Sequence, residues 1–244
     1  MHQLNNLKKI SNIVHGFSEI KDGNMSFVWG DKEEVSRNRK VFLEELDVKP
    51  ENCAAIFLKH GIDIAIVDEF SRGEEKIEVD CLITKSKDVF LFVLTADCLP
   101  VILYDPIKGV LALVHLSRIN SPQNFIRAVV EKMKSEYGVQ PENIIAGIGP
   151  CIKKESYIFP SEELKKVIPD EKVFEGFILD LHDGRKIIDL VGYNVSQLVS
   201  AGVRKENIEI SEIDTFKNKN FFSHSRSRAN GEPEGRMATV VGMI

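Results

Sequence analysis

The sequence predicts an α+β fold of a single domain. Short apolar runs rich in β-branched residues dominate the stretch from about residue 54 to 115, and helices of amphipathic spacing lie interspersed among and beyond such runs. No linker rich in Pro, Gly or Ser divides the 244 residues, a length that can bury a full core.

The opening third mixes strand-like pieces with a helix predicted over 33–46. Asp31 can cap it, Glu33 and Glu34 suit its positive end, and Pro50 lies beyond its last turn. Val35, Phe42 and Leu46 fall near one face, and Asn38 or Arg39 lies beside them. Strands are predicted at 54–58, 63–67, 89–95, 101–104 and 110–115, with turn formers at Pro100 and Asp105-Pro106. Ser121-Pro122 reads as the cap and first-turn proline of a helix in which Phe125, Val129, Val130 and Met133 recur at helical spacing until Gly138 stops it. A buried strand at 143–148 breaks at Gly149-Pro150-Cys151, and helices follow around 161–167 and 190–201. The stretch 223–231 reads as a flexible loop carrying hydroxyls, an imidazole and two guanidinium groups. There is no internal repeat.

A net charge of −5 argues against general nucleic-acid binding, which relies on a basic surface to displace counterions. No apolar run approaches the ~20 residues needed to cross a bilayer, and residues 1–6 are too polar to begin a secretory signal. The expectation is a cytoplasmic protein with small-molecule partners, and its oligomeric state is left open. Its four cysteines are then reduced thiols.

Three donors stand out. His60, Cys98 and His115 each follow an apolar, extended run, so a sheet can deliver all three to one end. Two imidazoles and a thiolate leave one position open on a tetrahedral zinc ion, the arrangement of a catalytic site. Each is also compatible with plain core packing, and Cys98 with a nucleophile activated by a histidine. Arg39 has the planar fork that suits phosphate and is the first candidate for it, although its helical position taken by itself favours a solvated side chain. Cys151, at a strand-ending turn, reads either as pocket lining or as core, and Cys53 and Cys81 read as packing residues. His2, His15, His182 and His224 have no strong case as ligands.

Several uncommon motifs occur in a set order: His15-Gly16-Phe17-Ser18, Asn38-Arg39, Lys59-His60-Gly61, Leu94-Thr95-Ala96-Asp97-Cys98-Leu99-Pro100-Val101, Gly147-Ile148-Gly149-Pro150-Cys151-Ile152, Phe221-Phe222-Ser223 and Gly235-Arg236-Met237-Ala238. In this the chain resembles, over nearly its whole length, the bacterial laccase-domain proteins, once called polyphenol oxidases and now understood as purine nucleoside phosphorylases. The resemblance implies mixed sheets layered between helices, in a cysteine-hydrolase-like arrangement. It implies a metal, zinc with copper possible, on His60, Cys98 and His115. It implies phosphorolysis of adenosine, inosine or methylthioadenosine, with adenosine deamination as a side activity. It also tips Ser223, Arg226 and Arg236 toward a substrate pocket, and implies an alternative Cys-His hydrolase role in editing cell-wall precursors.

The chain departs from the family pattern in three places. Where relatives continue the second histidine as His-Ala-Gly-Trp-Arg-Gly, it reads His115-Leu116-Ser117-Arg118-Ile119-Asn120. The lost glycines and added bulk predict a narrower pocket mouth, weaker turnover or a metal-binding homologue with little catalysis. Glu19-Ile20-Lys21-Asp22-Gly23 replaces an arginine and glycine-rich turn, and Asp214-Thr215 replaces a Cys-Thr pair.

Overall fold

A computed structural model describes all 244 residues. The thirteen strands are β1 (Ile13–Phe17), β2 (Cys53–Ala55), β3 (Ile64–Val67), β4 (Cys81–Thr84), β5 (Phe90–Thr95), β6 (Leu99–Asp105), β7 (Val110–Leu116), β8 (Ile145–Ile148), β9 (Ile158–Pro160), β10 (Ile178–Asp180), β11 (Arg185–Ile188), β12 (Ile208–Ile210) and β13 (Met237–Met243). The helices are α1 (Asn5–Lys8), α2 (Lys32–Glu44), α3 (Phe125–Tyr137), α4 (Ser161–Val167), α5 (Leu190–Ser200) and α6 (His224–Asn230). The strands form a mixed six-stranded sheet in the order β12-β8-β6-β7-β4-β3, a mixed four-stranded sheet in the order β1-β13-β5-β2, and a small antiparallel sheet β10-β11-β9.

Three apolar clusters order these pieces into layers, and strand alternation explains how one strand serves two of them. In β7, Val110, Ala112, Val114 and Leu116 pack with Phe125, Val129, Val130 and Met133 of α3 and Leu198 of α5. Leu111 and Leu113 point the other way, into the space between the sheets, where they meet Leu91 and Val93 of β5 and Val241 of β13. The outer face of the four-stranded sheet is covered by Phe42 and Leu43 of α2 on Phe90, Phe92 and Val240. The result is a helix, sheet, sheet, helix stack, an α+β fold with mixed sheets between helices.

Local chemistry sets the element ends. Asp31 caps α2 by accepting from the amides of Glu33 and Glu34. The helix expected to open at Ser121-Pro122 opens later: Ser121–Gln123 form a 3-10 turn, and Asn124 takes a left-handed φ of 57° before α3 begins at Phe125. The stretch 223–231, read as a flexible loop, is instead helix α6. Ser223 accepts from the amide of Arg226 at its start, and Gly231 at φ 70° ends it. The small β9–β11 sheet was not foreseen, because its strands are only three or four residues long and half exposed.

Candidate metal centre

Two of the crossings between the two large sheets end at one place. The chain leaves β5 of the four-stranded sheet and enters β6 of the six-stranded sheet through Ala96-Asp97-Cys98, and it passes from β2 to β3 through the segment that holds His60. His115 lies on β7 opposite Pro100, on the inter-sheet face that alternation gives to Leu111 and Leu113. Two tight turns aim the first two donors: Asp97 has φ 85° and His60 φ 58°. Asp97 is pinned by accepting from the Thr215 hydroxyl and the Ser225 amide, each at 2.7 Å.

The ligand atoms of His60, Cys98 and His115 lie within 4.8 Å of one another. The imidazole rings meet edge to face, 5.2 Å between centroids. A bound ion with ligand bonds of about 2.0–2.3 Å needs such donors only slightly closer together. His115 is buried and His60 exposed, with Cys98 between, so the open side of the set faces a cavity.

Asp80 organises the set and was not singled out in the sequence. Fully buried, it accepts from Nδ1 of His115 at 2.9 Å, from the amide of His60 at 3.1 Å and from the amide of Gly61 at 2.8 Å. A carboxylate on Nδ1 fixes the tautomer and leaves Nε2 of His115 for a metal. Burial works against ionisation of Asp80, but the hydrogen bonds from His115 and Gly61 hold its carboxyl below the usual range. Burial lowers His115 as well, yet the neighbouring Cys98 and Asp80 outweigh it and carry the metal-free imidazole up to about 9. His60 is lowered, by burial and then by His115. The three donors and their carboxylate thus suit a cation that displaces protons from the set.

The cavity in front of the donors encloses about 310 Å3, and its wall includes Arg118, Tyr157, His224 and Arg236. Arg118 donates to the Tyr157 hydroxyl at 3.1 Å, while its buried Nε has no partner. His224 Nδ1 lies 2.7 Å from Glu234, which also accepts from Arg236 at 2.8 Å. Of the substrate-binding residues read from the sequence, Arg236 alone lines this cavity. Arg39 lines a separate one. Arg226 is 4% exposed and spends its guanidinium on the carbonyls of Thr215, Phe216 and Phe221 and on Glu232, tying α6 to the loop before it. Ser223 is the cap of α6 and is buried. Cys151 is core, within the α3 cluster, and burial pushes its thiol up to about 11 despite Lys153 alongside.

The altered turn after His115 also differs from expectation. Leu116 faces the α3 core and adds nothing to the mouth, whereas Ser117, Arg118 and Ile119 line it. Asn120 takes over the closing of the turn: its side chain accepts from the Ser117 amide and donates to the His115 carbonyl.

Fold and donor set together define a laccase-type chain, and it belongs to the multi-copper polyphenol oxidoreductase laccase family, whose model matches residues 12–244. It is 31% identical to a protein of Streptomyces coelicolor named purine nucleoside phosphorylase, over 82% of this chain and 81% of that one. It is 30% identical to a Clostridium acetobutylicum protein of the same name, over 97% and 98%. Among solved structures, YlmD from Geobacillus stearothermophilus superposes with a TM-score of 0.85 at 25% identity, covering 98% of this chain and 94% of that one. No helix is long and apolar enough to cross a membrane.

Proposed function

We propose that this protein is a zinc-dependent purine nucleoside phosphorylase acting on adenosine, inosine or methylthioadenosine, with adenosine deamination as a second activity. The observation that carries the reading is the convergence of His60, Cys98 and His115 on a cavity walled by two arginines, in a chain similar to proteins named purine nucleoside phosphorylase. The residues fit the ion: two imidazoles and a thiol meet at one point, and Asp80 orients the buried imidazole. When bound, zinc supplies Lewis acidity at its open position.

In phosphorolysis a phosphate oxygen bonds to C1′ of the ribose while the bond from C1′ to the purine nitrogen breaks. The electron pair leaves with the purine, which takes up a proton. Arg118 and Arg236 stand where the dianion needs donors, and the unpartnered Nε of Arg118 gains an acceptor when phosphate arrives. His224, held by Glu234, is the imidazole at the wall that can pass a proton to the departing base. The phosphate role moves from Arg39 to these residues because Arg39 does not border the cavity.

Adenosine and phosphate given to the zinc-loaded protein should yield adenine and ribose 1-phosphate. Arg118→Ala should raise KM for phosphate about tenfold or more while leaving deamination, which uses water, nearly unchanged. No product from loaded protein would overturn the reading, and equal loss of both reactions would remove Arg118 from the phosphate site.

One observation favours a second reading. Asp80, His115 and Cys98 stand in the order acid, imidazole, thiol that activates a nucleophile in Cys-His hydrolases, the class that would edit cell-wall precursors. A thiol hydrolase keeps its activity after chelation; a zinc phosphorylase loses it.

A further inference from the structure

A second cavity, of about 440 Å3, opens against α2 and β2 and shares no lining residue with the metal cavity. Its organising group is Arg39, which donates from Nε to the Met25 carbonyl at 2.8 Å. Its guanidinium carbon lies 4.2 Å from the ring centroid of Phe27 and 5.1 Å from that of Phe92. The two terminal nitrogens make no hydrogen bond or ion pair within the protein, although the side chain is half-buried. Arg226 shows the contrast, since every arm of that guanidinium is matched by a carbonyl or a carboxylate. A guanidinium held by aromatic rings with its edge left free presents two parallel donors, the geometry that takes a carboxylate or a phosphate in plane.

Charge decides between those anions. Arg39 and Lys40 are set against Glu51, Glu74 and Glu75 around the same cavity. A phosphate dianion meets a wall with more negative than positive groups. A carboxylate that carries its own ammonium group meets partners for both signs. Phe27, Leu43 and Phe92 supply an apolar surface beside the fork.

We propose that this cavity binds a free amino acid with an apolar side chain, its carboxylate on Arg39, its ammonium group toward the glutamates and its side chain against Phe27 and Phe92. The site stands apart from the proposed activity and would exist whatever the metal centre does. It is nevertheless wired to that centre. Two residues beyond Phe27, Trp29 stacks on Arg236 with 5.2 Å from the guanidinium carbon to the ring, and Arg236 lines the metal cavity. A ligand that shifts Phe27 therefore acts on the Ser26–Trp29 turn.

Trp29 is the only tryptophan of the chain and lies two residues from Phe27, so its fluorescence is an indirect reporter and calorimetry the direct one. L-leucine should be titrated into the zinc-loaded protein by fluorescence and by calorimetry, beside leucinamide, N-acetylleucine and inorganic phosphate. Saturable binding of leucine is expected, weakened about tenfold or more in the amide, in the N-acetyl form and in Arg39→Gln, because each removes one half of a charge pair. Retained zinc content in Arg39→Gln shows that the variant is folded. Absence of saturable heat up to millimolar leucine would overturn the proposal. So would equal binding of leucinamide, unaltered affinity in Arg39→Gln, or phosphate binding more tightly than leucine.

Discussion

His60, Cys98 and His115 depend on a residue that binds nothing itself. Asp80 holds His115 by its ring and His60 by its backbone, so it couples a rigid strand donor to an exposed loop donor. Asp80→Asn keeps the shape but offers a neutral partner, and should weaken zinc affinity about 10- to 100-fold in a competition titration with a chromophoric chelator. Unchanged affinity would mean that the turn at His60 and the β7 strand fix the donors unaided. The three donors were legible because each ends an apolar run; Asp80 was not, since its role arises only when β4 pairs with β7 and its own run is short. A different histidine is expected to contribute to the acid limb of stability. His15 is buried in β1, accepts from the Leu4 amide, and burial lowers it to about 4. The unfolded chain takes up this proton near 6.5 and the folded one only near 4, so stability present above pH 6.5 is lost as pH falls through that window, by up to roughly 3 kcal/mol. His15→Gln should flatten the dependence of the unfolding midpoint on pH between 6.5 and 4. An unaltered slope would assign acid sensitivity to other groups.

Among the elements, those with apolar residues at helical spacing were read from sequence, Asp31 as the cap of α2 included, and a short polar helix without that spacing was not. The faces of α2 and α3 followed from Phe42, Phe125, Val129 and Met133, which are all buried. Helix α6 was missed because all its residues but Ala229 are polar, and what holds it is the Ser223 cap, the Gly231 stop and the inward Arg226. The turn after His115 shows the same blindness. Glycine loss suggested bulk at the mouth, and Ser117 and Ile119 do line it, yet Leu116 turns into the core and Asn120, fully buried, braces the turn through the His115 carbonyl. Asn120→Gly restores a residue of the family pattern but removes those bonds. It should therefore cost about 1–3 kcal/mol in denaturant unfolding. A neutral or stabilising effect would show that the turn is held by its backbone alone.

At the scale of the molecule, the convergence of His60, Cys98 and His115 is a by-product of stacking two sheets. Wherever the chain passes from one sheet to the other it must leave regular pairing, and two of these crossings, β2 to β3 and β5 to β6, converge beside the end of β7. The α+β class was legible from strand runs with interspersed helices. The pairing of β1 with β13, which closes the four-stranded sheet with segments more than two hundred residues apart, left no local signal. This construction makes the donors sensitive to the stack and to one another, so removal of one should empty the site without unfolding the chain.

The most direct measurement is a titration of zinc into metal-free protein with adenosine phosphorolysis followed at each addition. Activity should rise in proportion to zinc and break at one equivalent per chain, while folded Cys98→Ala shows neither stoichiometric zinc nor activity. Phosphorolysis by the metal-free protein, or a Cys98→Ala variant that fills with zinc and turns over normally, would contradict a catalytic metal held by His60, Cys98 and His115.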